Sequence, residues 1–203
     1  MKLDLSNYQN LDFAKSELIP AIVQDIATGT ILMQGFMNKA ALEQTLTTEK
    51  VTFYSRSKER LWTKGESSKN YLHVIDIHTD CDHDSILILA TPDGPTCHLG
   101  TQSCFPGATP DWAFLGQLNR VIESRKTASP ESSYTASLFA KDISRSAQKV
   151  GEEGVEVALA AVKQDREELI NESADLLFHL LVLLQKADVP VTEVIANLEK
   201  RHK

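Results

Sequence analysis

Apolar residues in the first half of the chain fall in short runs enriched in β-branched and aromatic side chains, which is the pattern of strands. Residues 21–26 and 30–33 are two such runs flanking Thr28-Gly29, and they predict a hairpin. Residues 51–55, 71–78 and 85–91 predict three further strands. One helical pattern interrupts them: Asn38 can cap it, and Ala41, Leu42 and Leu46 recur at helical spacing before Thr47-Thr48 ends the stripe. Pro92-Asp93-Gly94 has the chemistry of a chain reversal.

The period changes after Cys104. The segment FPGATPD, residues 105–111, holds two prolines and a glycine, and beyond it the strand signals stop. A boundary there predicts domains at 1–110 and 111–203. Phe114, Leu115, Leu118, Val121 and Ile122 form one helical stripe, followed by a polar loop at 127–133. Residues 138–163 read as one long helix, and Asp165 with Glu168 has capping-box spacing for another reaching about Lys186. Pro190 opens a last short helix. The expected architecture is an α+β N-terminal domain, mainly β-sheet, followed by an all-α C-terminal domain.

Composition narrows the function classes. With 42% hydrophobic and 24% charged residues, the 203-residue chain can bury a core and is not intrinsically disordered. The longest nearly apolar run, 176–184, is interrupted by His179 and is too short to span a bilayer. The opening MKLDLSNYQNLDF carries acids where a secretory signal would be apolar, so a cytoplasmic location is expected, without a membrane partner. Net charge is -7, and acids outnumber bases both through position 110 (13 to 9) and after it (15 to 12). That balance disfavours nucleic-acid binding, so an anionic small molecule would need a local basic cluster or a metal. The only cysteines are Cys81, Cys97 and Cys104, an odd number within 24 residues, which points to a reducing compartment and to metal or catalytic use.

Asp80-Cys81-Asp82-His83-Asp84 is the densest run of potential metal ligands. If it is extended, Asp80, Asp82 and Asp84 share one face and Cys81 and His83 the other. Three crowded carboxylates call for a hard cation such as Mg²⁺, unless the run is a solvated acidic loop. Cys81, Cys97 and Cys104 can supply three thiolates to Zn²⁺, with His98 or His83 available to close the site. They can equally be three buried thiols. Because Cys81 would face away from the acids, a zinc site completed by a second subunit is a further expectation. Residues 55–66 gather Ser55, Arg56, Ser57, Lys58, Trp62 and Lys64, a set suited to a phosphorylated aromatic substrate, although a basic surface loop would look the same. His98 is a candidate catalytic residue.

The blocks PAIVQD, ILMQGFMN, SRSKERLW running into KGES, DCDHD, and CHLG followed by SCF together resemble the phosphoribosyl-AMP cyclohydrolase family over nearly all of residues 15–105. The resemblance implies Mg²⁺ on Asp80, Asp82 and Asp84, and Zn²⁺ on Cys81, Cys97 and Cys104, shared across a homodimer. Lys69 and Leu99 depart from the glycine and threonine usual there, which bears on local substrate contacts.

In the second half, Glu153 and Glu156 share a helix face at i, i+3, and Glu172 and Asp175 repeat the spacing in the next helix. An antiparallel hairpin would bring the four carboxylates together as a divalent-metal site, the alternative being a charged solvent face. Lys149 and Glu152 are candidate catalytic residues beside it, and His179 reads as a core histidine bonded to Asp175. SYTASLF, QKVGEEGVEVALAA and ESADLLFHLLVLL resemble the phosphoribosyl-ATP pyrophosphatase family, within the all-α MazG-like group, over residues 113–187. Gly154 replaces the common alanine, at up to about 1 kcal/mol of helix propensity.

Fusion of the two in this order resembles the bifunctional enzymes of histidine biosynthesis. It implies release of pyrophosphate from phosphoribosyl-ATP on Mg²⁺, then opening of the adenine ring between N1 and C6 by zinc-bound hydroxide. The rival expectations are a generic nucleoside triphosphate pyrophosphatase with a structural zinc domain, and a noncatalytic zinc-binding module.

Overall fold

The computed structural model describes residues 1–202 and divides into two compact units, Met1–Gly116 and Gln117–Lys203. The first contains strands β1 (Ile19–Asp25), β2 (Ile31–Met37), β3 (Thr52–Ser55), β4 (Arg60–Thr63), β5 (Leu72–Thr79) and β6 (Ile86–Pro92), with helix α1 (Lys39–Thr48) between β2 and β3. Four strands form a sheet in the order β2-β1-β6-β5, and β3 pairs with β4 in a separate hairpin. β1 and β6 are parallel, and the other neighbours are antiparallel. Residues alternating along β1 and β6 build the core: Ala21 lies opposite Ile86 and Val23 opposite Ile88, all essentially without solvent contact. Leu42 of α1 and Phe53 of β3 belong to the same cluster. The Asn38 side chain accepts from the Ala41 N–H at 2.8 Å, as its position before α1 predicts.

Three local expectations change. The second strand runs on through Gln34-Gly35 to Met37, because a Cβ at Gly35 would lie 2.4 Å from the Phe53 ring, so only glycine lets β3 close over β2. Residues 60–63 form β4, reached through a turn at 56–59 in which Glu59 adopts left-handed φ (50°) without glycine or asparagine to announce it. Asp80–Asp84 is not extended. It is a turn between β5 and β6 with His83 at φ 63°, so strand alternation does not sort its side chains.

The second unit is helical: it opens within α2 (Ala113–Ser124), whose first turn belongs to the first unit, and continues through α3 (Tyr134–Ala140), α4 (Ile143–Lys163), α5 (Arg166–Lys186) and α6 (Val191–Arg201). The long helix expected over 138–163 is broken between α3 and α4, because the Asp142 carboxylate accepts from the Ser144 N–H at 2.8 Å and starts a new helix. Asp165 caps α5 through the Glu168 N–H, as expected. Ile122, Leu138, Leu181 and Val182 form the buried core of this unit. Among the described residues, no helix is long and apolar enough to cross a membrane.

Candidate active sites

The turn after β5 gathers one oxygen from each of Asp80, Asp82 and Asp84 within 4.8 Å of one another. Its organiser is Asp80, whose Oδ1 accepts from the N–H groups of Asp84 and Ser85, both at 3.1 Å. The turn therefore folds around one carboxylate and presents the other two. Oxygens converging this closely fit a divalent cation with hard ligands. Lys15 Nζ lies 3.2 Å from both Asp82 Oδ2 and Asp84 Oδ2, which shows that the cluster attracts positive charge. Its hydrogen bond holds the Asp82 carboxyl below the usual carboxylate range. No sequence spacing announces this contact.

The three thiols are not brought together, and this overturns the zinc expectation. Among the described residues the groups able to hold a metal are carboxylate clusters, and none contains a cysteine. Cys81 is exposed in the aspartate turn, whereas Cys97 and Cys104 interact with each other beside a different pocket. The alternation that was to turn Cys81 toward a zinc ion is absent, because the segment is a turn. With the Cys81–Cys97–Cys104 site goes the homodimer built around a shared zinc, along with the zinc-bound hydroxide. Three buried thiols fail as well, since Cys81 and Cys104 are exposed.

That other pocket, about 600 Å³, is lined by Trp62, Lys64, Asn70, Thr96, Cys97, His98 and Cys104 among others. Lys64 is 7% exposed, and its Nζ donates to the Asn70 carbonyl at 3.2 Å. Burial lowers its pKa, partly offset by the charges of Cys104 and Cys97. Asn70 also donates from Nδ2 to the Pro95 carbonyl at 3.2 Å, stitching the two loops that form the walls. Gly65 permits this: at φ 93° a Cβ would lie 2.6 Å from the Asn70 carbonyl oxygen. Hydrogen bonding from the Leu99 N–H and the Thr101 hydroxyl lowers the Cys97 pKa. His98 is exposed, its Nδ1 3.9 Å from the Cys97 sulfur. Sequence reasoning missed Asn70 and Thr96, which carry no spacing signal.

Ser55, Arg56 and Trp62 line a smaller, adjoining pocket of about 200 Å³ that shares Met33 and Trp62 with the first. The Arg56 guanidinium lies 4.0 Å from the centre of the Phe36 ring. Ser57 and Lys58 stand exposed in the β3–β4 turn and line neither pocket.

In the second unit, Glu153 and Glu156 of α4 and Glu172 of α5 each place an oxygen within 4.8 Å of the others. Asp175 is exposed and lies outside this triplet, so three of the four expected carboxylates converge. Glu153 is 4% exposed, and Lys149 Nζ reaches its Oε1 at 2.9 Å and Glu152 Oε2 at 3.2 Å. That bond depresses the Glu153 pKa against the effect of burial, and Glu153 and Glu152 together raise that of Lys149. Glu172 is pushed up by burial and by the charges of Glu156, Glu153 and Asp175, a repulsion that a divalent cation would relieve. His179 is not bonded to Asp175: its Nε2 lies 3.9 Å from Glu153 Oε1, its Nδ1 is buried without a hydrogen-bond partner, and Phe178 and Tyr134 pack edge-on against it.

Comparison with known proteins matches residues 33–106 to the family Phosphoribosyl-AMP cyclohydrolase and residues 115–202 to Phosphoribosyl-ATP pyrophosphohydrolase. The chain is similar to the Histidine biosynthesis bifunctional protein HisIE of Yersinia pestis, at 58% identity over 95% of each chain. It is 56% identical to the protein of the same description from Escherichia coli (strain K12) over 96% of each. The Pasteurella multocida protein of that description is 54% identical over 97% of this chain and 98% of its own.

Proposed function

The chain belongs to the bifunctional histidine-biosynthesis family that joins a phosphoribosyl-AMP cyclohydrolase to a phosphoribosyl-ATP pyrophosphohydrolase, and from that membership we propose how its residues divide the two reactions. It hydrolyses phosphoribosyl-ATP to phosphoribosyl-AMP and pyrophosphate, and it opens the adenine ring of phosphoribosyl-AMP between N1 and C6. We assign ring opening to residues 1–110 and pyrophosphate release to 111–203. The observation that carries this division is that each unit has its own carboxylate triplet, Asp80/Asp82/Asp84 in one and Glu153/Glu156/Glu172 in the other.

A Mg²⁺ ion held by these carboxylates would supply positive charge to offset that of the phosphates and to polarise water. In the helical unit, Glu153, Glu156 and Glu172 would hold the cation, and Asp175 adds negative field from outside the triplet. Lys149 is a positioning residue that fixes Glu153 and keeps it ionised. Glu152, turned to Lys149 and accepting from Gln148 Nε2 at 2.7 Å, orients the attacking water. In the β-sheet unit, Trp62 offers a stacking surface to the purine, and Lys64, Arg56 and Ser55 receive phosphate and ribose oxygens. Ser57 and Lys58 guide the anion from the exposed turn. His98, which lines the pocket, gives a proton to N1 as water adds its oxygen to C6 and the N1–C6 bond breaks, leaving C6 as an amide carbonyl carbon. The intermediates are small soluble nucleotides, and we place the reaction in the cytoplasm.

Separation of the activities tests this. Asp84→Asn should stop ring opening of supplied phosphoribosyl-AMP while pyrophosphate release continues, and Glu156→Gln should do the reverse. One substitution that stops both reactions in a folded chain overturns the division.

A further inference from the structure

We propose that Lys15 is a tethered competitor for the cation site of the aspartate turn, so that a divalent ion binds there by displacing the Lys15 ammonium. This rests on reading Asp80, Asp82 and Asp84 as a cation site. The ammonium bridges Asp82 Oδ2 and Asp84 Oδ2 at 3.2 Å each, contacting two of the three converging carboxylates. Mg²⁺ requires its oxygens at about 2.0–2.1 Å, and an ion at that distance sharing oxygens with the ammonium would be strongly repelled by it. One cation must yield.

Lys15 is held near the turn by its backbone as well as by its charge. The Asp12 N–H donates to the His83 carbonyl at 2.8 Å, and the Lys15 N–H donates back to the Asp12 carbonyl and Oδ1, both at 3.2 Å. This clip raises the local concentration of ammonium beside a turn 67 residues further along the chain. The turn itself does not depend on Lys15, because Asp80 is fixed by the Asp84 and Ser85 N–H groups. Lys15 and its two partners are each at least 41% exposed, so the pair is weak and water-screened, and a divalent ion can displace it. Lys149 differs: it lies one turn from Glu153 on the same helix and is mostly buried.

The test is calorimetric titration of Mg²⁺ into the full chain carrying Glu156→Gln and Glu172→Gln, which leaves the aspartate turn as the remaining cluster of three metal-ligating groups among the described residues. Lys15→Met, added to this background, keeps the aliphatic stem and removes the charge. It should bind Mg²⁺ up to about fivefold more tightly, the range expected from a screened pair. Amide exchange at residues 12–15 should rise on Mg²⁺ binding in the chain with Lys15 and change less in the Lys15→Met chain. Equal or weaker Mg²⁺ binding by Lys15→Met overturns the competition and makes Lys15 a support of the turn. No Mg²⁺ binding by either chain overturns the cation site itself and the proposal with it.

Discussion

Replacing Glu153 by glutamine should leave the helical unit folded and remove its response to magnesium. Glu153 is 4% exposed and accepts from Lys149 at 2.9 Å. Hydrogen bonds to charged groups contribute about 1.5–3 kcal/mol and neutral ones about 0.5–1.5, so a glutamine oxygen that keeps the Lys149 contact forfeits about 1 kcal/mol. The substitution also removes a negative charge whose oxygen lies within 4.8 Å of oxygens of Glu156 and Glu172. Each such repulsion amounts to at least about 1 kcal/mol, its value in bulk water, so removing both offsets that loss and the metal-free variant should be at least as stable as the parent. Magnesium separates them. At a hundred times its dissociation constant the ion stabilises the parent by about 2.7 kcal/mol, which in a unit of this size raises the melting temperature by on the order of 10 °C. Scanning calorimetry with and without Mg²⁺ should show that increment in the parent and not in Glu153→Gln. Pyrophosphate release should fall by on the order of a hundredfold, the loss typical when one group that stabilises developing charge is removed. A variant that keeps both the magnesium increment and pyrophosphate release would refute the assignment of Glu153 as a ligand.

The raised pKa of Glu172 gives a pH dependence with a definite sign. In the metal-free chain the folded state holds that proton more tightly than the unfolded state, so this group's contribution to stability increases as pH falls from neutral through the raised pKa and levels off below the ordinary glutamate value. Glu172→Gln should therefore raise the melting temperature of the metal-free chain at pH 7 and flatten that part of the profile; a lower melting temperature at pH 7 would contradict it. Gly35→Ala should destabilise the β-sheet unit by about 1–3 kcal/mol, because the new methyl would meet the buried Phe53 ring at 2.4 Å, and urea denaturation should show a lower midpoint at unchanged slope. Lys64→Met should preserve the fold, since the stem still packs, while raising KM for phosphoribosyl-AMP; steady-state kinetics with an unchanged KM would remove Lys64 from the substrate site.

Much of the fold is readable from local rules, and the departures share a cause. The strands of the main sheet and the caps of α1 and α5 follow from alternation and from Asn38 and Asp165, which act within a few residues. The β3–β4 hairpin was missed because Glu59 takes a left-handed turn position that tertiary pairing enforces and propensity does not. The continuation of β2 through Gly35 depends on Phe53, eighteen residues away. Asp142 read as one more polar residue of a helix, whereas its carboxylate caps the next one. Both carboxylate clusters are legible in composition. Their geometry is not: the aspartates converge through hydrogen bonds to Asp80 in a turn, not through strand alternation, and Asp175 falls outside the glutamate triplet. The cysteine expectation failed because proximity in sequence does not place Cys81 beside Cys97 and Cys104.

The most direct test of two hydrolytic sites in one chain is a time course of the purified full-length protein with phosphoribosyl-ATP and Mg²⁺, following pyrophosphate and the ring-opened nucleotide in the same sample. The account predicts that pyrophosphate appears first, phosphoribosyl-AMP rises and falls, and the ring-opened product accumulates to match the pyrophosphate released. Pyrophosphate release that stops at phosphoribosyl-AMP, or equal turnover of ordinary nucleoside triphosphates with no ring opening, would contradict it.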